Sequence, residues 1–172
     1  DTRQWGPPFV TNGDDKSASY FHSCNRGKKS ICVDFKSNDG QKTIKKLISE
    51  ADILIENFKV GGLVKYGLDF NSLSKINPKL IYCSITGFGQ TGPYSHRAGY
   101  DYIIQGMSGL MSITGEPDGQ PQKMGVAVTD ILTGLYGVTA ILSAIIQRDK
   151  TGRGQHIDLA LLDVATSVTA NQ

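Results

Sequence analysis

The chain has 172 residues, 18 Lys and Arg against 16 Asp and Glu, 39% hydrophobic and 20% charged. That length supports one globular domain with a proper core, and the composition is too apolar for a disordered chain. A formal net charge of +2 gives no electrostatic footprint for nucleic acid, a membrane surface or a strongly acidic partner. Glycine is the outlier, with 20 residues, about 12% against an average near 7%, and such positions mark tight backbone of the kind that lies beside ligands.

Residues 1–16 are polar and rich in Gly and Pro and are expected to be an irregular lead-in. The abrupt start, without an initiator Met, leads us to expect a segment of a longer protein. Ser30–Phe35 is a short β-rich run, followed by a helical pattern from Asp39 to Glu50. Ile44, Leu47 and Ile48 share one face of that helix, with Lys42, Lys45 and Lys46 outward. Asp52–Glu56 is a continuous apolar run of the kind a buried parallel sheet uses. A turn at Gly61 and Gly62 leads through a short helix to Asp69, which can cap a second short helix before Pro78. Lys79–Thr86 reads as the third strand, so strand and helix alternate as in βαβ units.

Residues 87–99 form a glycine-studded loop, and Tyr100–Met111 reads as a helix loosened by Gly106 and Gly109. Turn formers fill 114–123. From Thr129 to Gln147 runs the longest predicted helix, with Ile131, Leu132, Leu135, Val138, Ile141, Leu142, Ile145 and Ile146 at helical spacing and charges confined to its ends. Burial along most of its length is therefore expected. Residues 151–154 make a turn, 155–159 a strand, and the chain closes in a further helix.

No uninterrupted run of about 18 apolar residues occurs, so no membrane-crossing helix is expected. Cys24, Cys32 and Cys83 are odd in number and lack a C-x-x-C pair, which argues against a disulfide framework or zinc site. Cys32 and Cys83 read as small core hydrophobes. His22, His96 and His156 have no metal-ligand spacing. The expected setting is reducing and intracellular: cytoplasmic, or mitochondrial in a eukaryote.

Gly87-Phe-Gly-Gln-Thr-Gly92 spells G-x-G-x-x-G directly after a strand. A dinucleotide site needs a helix to open there, and Pro93-Tyr-Ser-His-Arg-Ala-Gly99 cannot supply one. A loop lying across a ligand is the better reading. Thr151-Gly-Arg-Gly154 lacks the phosphate-loop pattern and reads as a glycine C-cap. Arg26-Gly-Lys-Lys29 reads as a solvated basic turn that could also meet a phosphate. Asp130 opens the longest helix in otherwise apolar surroundings. An acid in a first turn can serve the helix dipole alone. It can also be a nucleophilic carboxylate, kept ionised despite desolvation by helix-terminal N–H groups. Asp101 is a second first-turn acid.

Several strings together resemble the class III CoA-transferases, the CaiB/BaiF family. They are Asn25-Arg-Gly-Lys-Lys-Ser-Ile31, Ala51-Asp-Ile-Leu-Ile-Glu-Asn-Phe58, the stretch from Asn77 to Pro93, Arg97-Ala-Gly-Tyr-Asp101, Gly125-Val-Ala-Val-Thr-Asp130 and Thr151-Gly-Arg-Gly-Gln155. The resemblance implies an α/β fold, a mainly parallel, Rossmann-like open sheet with flanking helices. Residues 1–172 would be part of the family's large, CoA-binding domain, with the small domain absent and the isolated segment inactive. It implies Asp130 as catalytic nucleophile, forming an aspartyl intermediate as CoA passes from an acyl-CoA donor to a carboxylic acid. CoA contacts would fall on Val33, Asp34, Phe35 and Lys36, on Asn57, Phe58 and Lys59, on Lys65, and on Ala98, Gly99, Tyr100 and Asp101. A better-known relative has Arg at the place of Lys65 and Lys at that of Ala98.

The resemblance further implies an interlocked homodimer, and no cofactor or metal beyond CoA as substrate, because the thioester carries the activation. Racemisation of 2-methylacyl-CoA, the competing family activity, uses a His where Tyr100 stands. A phenol of pKa about 10 is a poor general base near neutrality, which favours transfer. An inert CoA-binding part of a larger enzyme is the remaining alternative.

Overall fold

A computed structural model describes residues 2–170 and 172. The chain divides into two compact units, residues 1–33 and 34–172. In the first, the expected irregular lead-in is instead a β-hairpin. Strands β1 (Phe9–Asn12) and β2 (Asp15–Ala18) pair antiparallel from Asn12 opposite Asp15 to Phe9 opposite Ala18. Gly13, at φ 60°, makes the reversal, which a two-residue loop requires of a left-handed residue. Polar composition concealed this hairpin, because its strands bury only Ser17 and Ala18. Helix α1 (Ser19–Cys24) follows, with Arg3 lying 3.9 Å over the Phe21 ring and Trp5 stacked on Tyr20.

The second unit carries the parallel sheet. Helix α2 (Asn38–Glu50) begins at Ser37, whose hydroxyl accepts the Gly40 amide at 3.0 Å. Then come β3 (Ile53–Glu56), α3 (Phe70–Leu73), β4 (Ile81–Thr86), α4 (Asp101–Met107), α5 (Val128–Thr151), β5 (His156–Ala160) and α6 (Leu161–Thr169). The strand order is β3-β4-β5, all parallel, with Ile53 opposite Ile81 and Cys83 opposite Ile157. The expected α/β class with a parallel sheet flanked by helices is what forms.

Alternation along the strands sends residues to two separate cores. Leu80 and Tyr82 face α2 and the 63–73 segment, packing with Ile48, Leu63, Leu68 and Leu73. Ile81 and Cys83 face the other way, with Ile157, Leu159 and Val164, against Ala144 of α5. A third cluster of Ile104, Leu161 and Ala165, with Ile85 and Phe88 beside it, fixes α4 against α6. Burial raises the Tyr82 phenol well above its usual value, helped by Glu56 and Asp69, and its hydroxyl donates to the Leu68 carbonyl at 3.0 Å. Asp69 caps α3 as expected. Burial pushes its carboxyl up, but the Ser72 hydroxyl and amide and further backbone N–H groups outweigh that and hold it below its ordinary value.

Several expectations need correction. Ser30–Phe35 is not a strand. A β-rich run needs a ladder partner, and the described strands pair only among themselves. Cys32 is accordingly exposed, whereas Cys83 is buried as expected. In α2, Ile48 is buried but Leu47 is exposed, so the apolar stripe is narrower than its spacing suggested. The 100–111 helix ends at Met107, and Gly109 at φ 84° starts a separate single turn over Leu110–Ile113. The largest correction concerns α5. Leu132, Ala140, Ile141 and Ile145 pack on the sheet, but Ile131, Leu135, Val138, Leu142 and Ile146 are 54–59% exposed. One sheet face can cover only one side of a helix that is apolar all round. By length and composition alone α5 is also apolar enough to cross a membrane, which the lack of an uninterrupted apolar run did not indicate. The sheet-facing side of α5 belongs to the second core.

Asn77 holds the end of α2 to the start of β4. Its side-chain amide donates to the carbonyls of Ile48 at 3.0 Å and Ala51 at 2.8 Å, while its oxygen accepts the Lys79 amide at 3.1 Å. With each such bond worth about 1 kcal/mol net, Asn77→Ala should lower the unfolding free energy by about 2–3 kcal/mol, measured by urea denaturation of the full-length protein.

Candidate active site

The first turn of α5 lacks a cap of its own. Ala127 occupies the N-cap position and offers no side-chain acceptor to the free amides that open a helix. Asp101, from the first turn of α4, supplies it. Its Oδ1 accepts the Thr129 amide at 2.8 Å, the Thr129 hydroxyl at 2.6 Å and the Asp130 amide at 3.4 Å. Oδ2 accepts the Gln105 side-chain amide at 2.6 Å. Four donors thus face this carboxylate.

Asp130 is thus brought beside Asp101, but not as expected. The helix-start amides that were to hold its charge serve Asp101 instead, and among the described residues none hydrogen-bonds the Asp130 carboxylate. Its side chain remains solvent-accessible. Partial burial, and then the Asp101 charge, push its carboxyl above the ordinary aspartate value. The group is a carboxylate of enhanced basicity without a hydrogen-bond partner among the described residues. Tyr100, 74% exposed, forms the N-cap position of α4 immediately before Asp101.

The expected CoA contacts fall into smaller groups. Val33 belongs to the first unit and the others to the second. Asp34 and Lys36 lie in a turn, not at a strand end, with Asp34 Oδ1 accepting the Lys36 amide at 3.0 Å. Phe35 and Phe58 meet edge to face at 5.7 Å, and Phe35 meets Tyr66 at 5.3 Å, with Lys65 Nζ 4.9 Å over the Tyr66 ring. Asn57, Phe58 and Lys59 directly follow β3 and are exposed, and the Phe58 amide donates to Glu56 Oε2 at 2.7 Å. Lys59 also lines a cavity of about 260 Å³ with Glu56, Phe70, Ser84, Gln90 and His156. This cavity contains the carboxyl end of β3, the side on which open α/β sheets take ligands. A larger cleft, about 630 Å³, lies at the amino ends of β3 and β4, beside the 2.9 Å ion pair of Arg148 and Asp52.

Ala98 is exposed and Gly99 is a packing position. A Cβ on Gly99 would lie 2.8 Å from Gly87 Cα and 3.2 Å from Phe88. Gly87 and Gly99 therefore let the two ends of the 87–99 loop cross. The loop opens no helix after Gly92, as its sequence indicated. It is anchored by Gln90, whose amide donates to Asp158 Oδ2 at 2.9 Å, and by Gly87, whose carbonyl accepts the Leu162 amide at 3.1 Å. The expected glycine cap of α5 is Gly152, at φ 71°. Among the described residues, no cluster of three or more His, Cys, Asp or Glu is placed to hold a metal.

Sequence reasoning missed Thr129 and Gln105. Thr129 is a fully buried residue directly beside the candidate nucleophile. Gln105 lies four residues after Asp101 on α4, the spacing at which helical side chains meet, and that was its available signal.

The chain has counterparts among known proteins. Over its full length it is 63% identical to the succinate–glutarate CoA-transferase of Agrobacterium fabrum, covering 44% of that protein. It is 50% identical to the succinyl-CoA:glutarate CoA-transferase of Mus musculus, with 99% of this chain covering 39% of that one. A crystal structure of a CaiB/BaiF family protein from Brucella suis superposes with a TM-score of 0.95 at 62% identity, over 99% of this chain and 45% of that one. The chain therefore spans under half the length of these relatives. CoA-transferase family III matches residues 1–172, and with the parallel sheet and the order of elements described above, the chain belongs to that family.

Proposed function

We propose that this chain is the nucleophile-bearing part of an enzyme that moves CoA from an acyl-CoA donor to a carboxylic acid through an aspartyl intermediate on Asp130. The observation that carries the reading is the Asp130 carboxylate: accessible, unpaired among the described residues, and raised in basicity by partial burial and by Asp101. An Asp130 oxygen attacks the donor thioester carbonyl, and CoA leaves as thiolate with a mixed anhydride on Asp130. The thiolate then attacks the aspartyl carbonyl, releasing the donor acid and leaving an aspartyl-CoA thioester. The acceptor carboxylate attacks that thioester, and the expelled thiolate takes the acceptor acyl group, regenerating Asp130. Every bond broken is matched by one formed, and no oxidant enters.

CoA is read onto Lys59, Lys65 and the aromatic group of Phe35 and Phe58, where cationic and apolar surface lie together. The names of the two relatives above favour short dicarboxylic acids as the exchanged acids. Transfer is preferred over racemisation because the residue preceding Asp101 is Tyr100. The working unit in this reading is the full-length protein as an intracellular homodimer, and the 172 residues alone are inactive.

Full-length enzyme incubated with succinyl-CoA should accumulate a covalent adduct on the tryptic peptide containing Asp130. Asp130→Ala should abolish the adduct and reduce kcat by about 10⁴-fold or more; an adduct and turnover that survive the substitution exclude this nucleophile.

The raised carboxyl has a thermodynamic signature of known sign. A folded-state value above the unfolded one favours the fold at low pH, and that contribution is lost as pH rises through the folded value. Asp130→Asn should therefore make the full-length protein more stable at pH 7. The difference in Tm should close as pH falls through the raised folded value toward 3.8, the ordinary aspartate value.

Lys65→Ala should raise KM for acyl-CoA by about 5- to 10-fold and leave kcat within about 2-fold, the pattern of lost ground-state binding. Steady-state kinetics with varied acyl-CoA check it.

A further inference from the structure

We propose that Gln105 is a positioning residue for Asp130: its side-chain amide locks Asp101 and the 124–126 backbone into the arrangement in which Asp101 caps α5. The inference rests on Asp130 as nucleophile and extends it to a residue that touches no substrate.

Gln105 is 1% exposed. A long polar side chain costs free energy to bury unless both ends of its amide are satisfied. Here both are. Nε2 donates to Asp101 Oδ2 at 2.6 Å and to the Val126 carbonyl at 3.4 Å, while Oε1 accepts the Met124 amide at 2.9 Å. The residue therefore grips the segment entering α5 at two backbone positions and grips the cap of α5 through a third contact.

That segment needs such a grip. Residues 124–127 are exposed and irregular, and Gly125 has open space around it. The first turn of α5 begins immediately after, with Val128 donating to Val126 and Ile131 to Ala127. A shift of Met124 or Val126 is transmitted through that turn to Asp130. Asp101 sits between the two ends of the device: Oδ2 faces Gln105, and Oδ1 faces Thr129 and Asp130. Thr129 extends the chain inward, since its carbonyl accepts the Thr133 hydroxyl at 2.6 Å within buried surroundings.

Only an amide fits position 105. The site requires a donor toward Asp101 and the Val126 carbonyl and an acceptor toward the Met124 amide. An ionised Glu keeps the acceptor, loses the donor and sets two carboxylates against each other. Met fills the volume and leaves the Met124 amide and Asp101 Oδ2 without partners.

The test uses full-length enzyme carrying Gln105→Glu or Gln105→Met, with kcat, KM for acyl-CoA and amide hydrogen exchange measured for each. We expect kcat to fall by about 30- to 100-fold with KM within about 2-fold, as for a displaced reacting group. Exchange should accelerate across 124–131 while the strands keep their protection. Wild-type kcat in either folded variant overturns the proposal. So does a loss of kcat with protection falling evenly throughout the protein, because that marks a merely structural residue. Adduct trapping on the unsubstituted enzyme is the separate check on the underlying reading: an adduct on Asp130 with unchanged Gln105 variants defeats the positioning role alone, whereas an adduct elsewhere defeats the nucleophile and this inference with it.

Discussion

The candidate site depends on one carboxylate, that of Asp101. Asp101 caps, from another helix, a helix whose own N-cap residue is alanine. A local Ser or Asp at 127 would have satisfied the same amides. The distant cap does more, because it ties the start of α5 to the position of α4. The position of α4 is in turn set by Ile104 packed among Leu161, Ala165 and Phe88. The location of Asp130 is thereby referred to the core, through two hydrogen-bonded links, rather than to the exposed loop that precedes it.

The sheet explains why such a link is available. Crossover connections bring α5 onto one face of β4 and β5, and α6 follows β5 directly. The loop after β4 returns across itself at Gly87 and Gly99, which places the start of α4 beside the carboxyl end of the sheet. Loop 87–99, α4 and the start of α5 are assembled there from segments separated by up to 43 positions, from Gly87 to Asp130. Strand ends are rigid reference points, so loops that depart from them can hold chemistry without being part of the core.

What could be read in the sequence was whatever local pattern dictates. The Asp69 cap, the strand read at 79–86 and formed at 81–86, the turn at Gly152 and the parallel sheet all follow from spacing and residue type. The failures share a different cause. Ser30–Phe35 has β propensity but no ladder partner, and α5 is apolar all round but has one sheet to lie on. Both are non-local matters, because a strand exists only if another offers an edge and a buried face only if something covers it. The candidate site divides along the same line. Asp130 and Asp101 were visible as helix-start acids with family strings around them. Their relation was not, because a cap in which Asp101 accepts an amide twenty-nine positions away leaves no periodic mark.

That relation alters the electrostatic reasoning about Asp130. A helix N-terminus stabilises an anion within its first turn, so a first-turn acid is expected to be held ionised. Here the amides that would do so are spent on Asp101, and Asp130 feels the neighbouring negative charge together with partial desolvation. Its proton affinity rises rather than falls. For an attacking group this is useful, since nucleophilicity declines as the conjugate acid strengthens, as thiolates show. A carboxylate is a weak nucleophile toward a thioester, and an internal hydrogen-bond partner would weaken it further. Giving the cap to Asp101 leaves the Asp130 carboxylate free of such a partner among the described residues while its backbone stays fixed. The same arrangement makes Asp101 difficult to replace: neutralising it lowers the basicity of Asp130, and removing it uncaps the first turn of α5, which carries Asp130. Charge and position are coupled through a single side chain, and Gln105 holds that side chain in place.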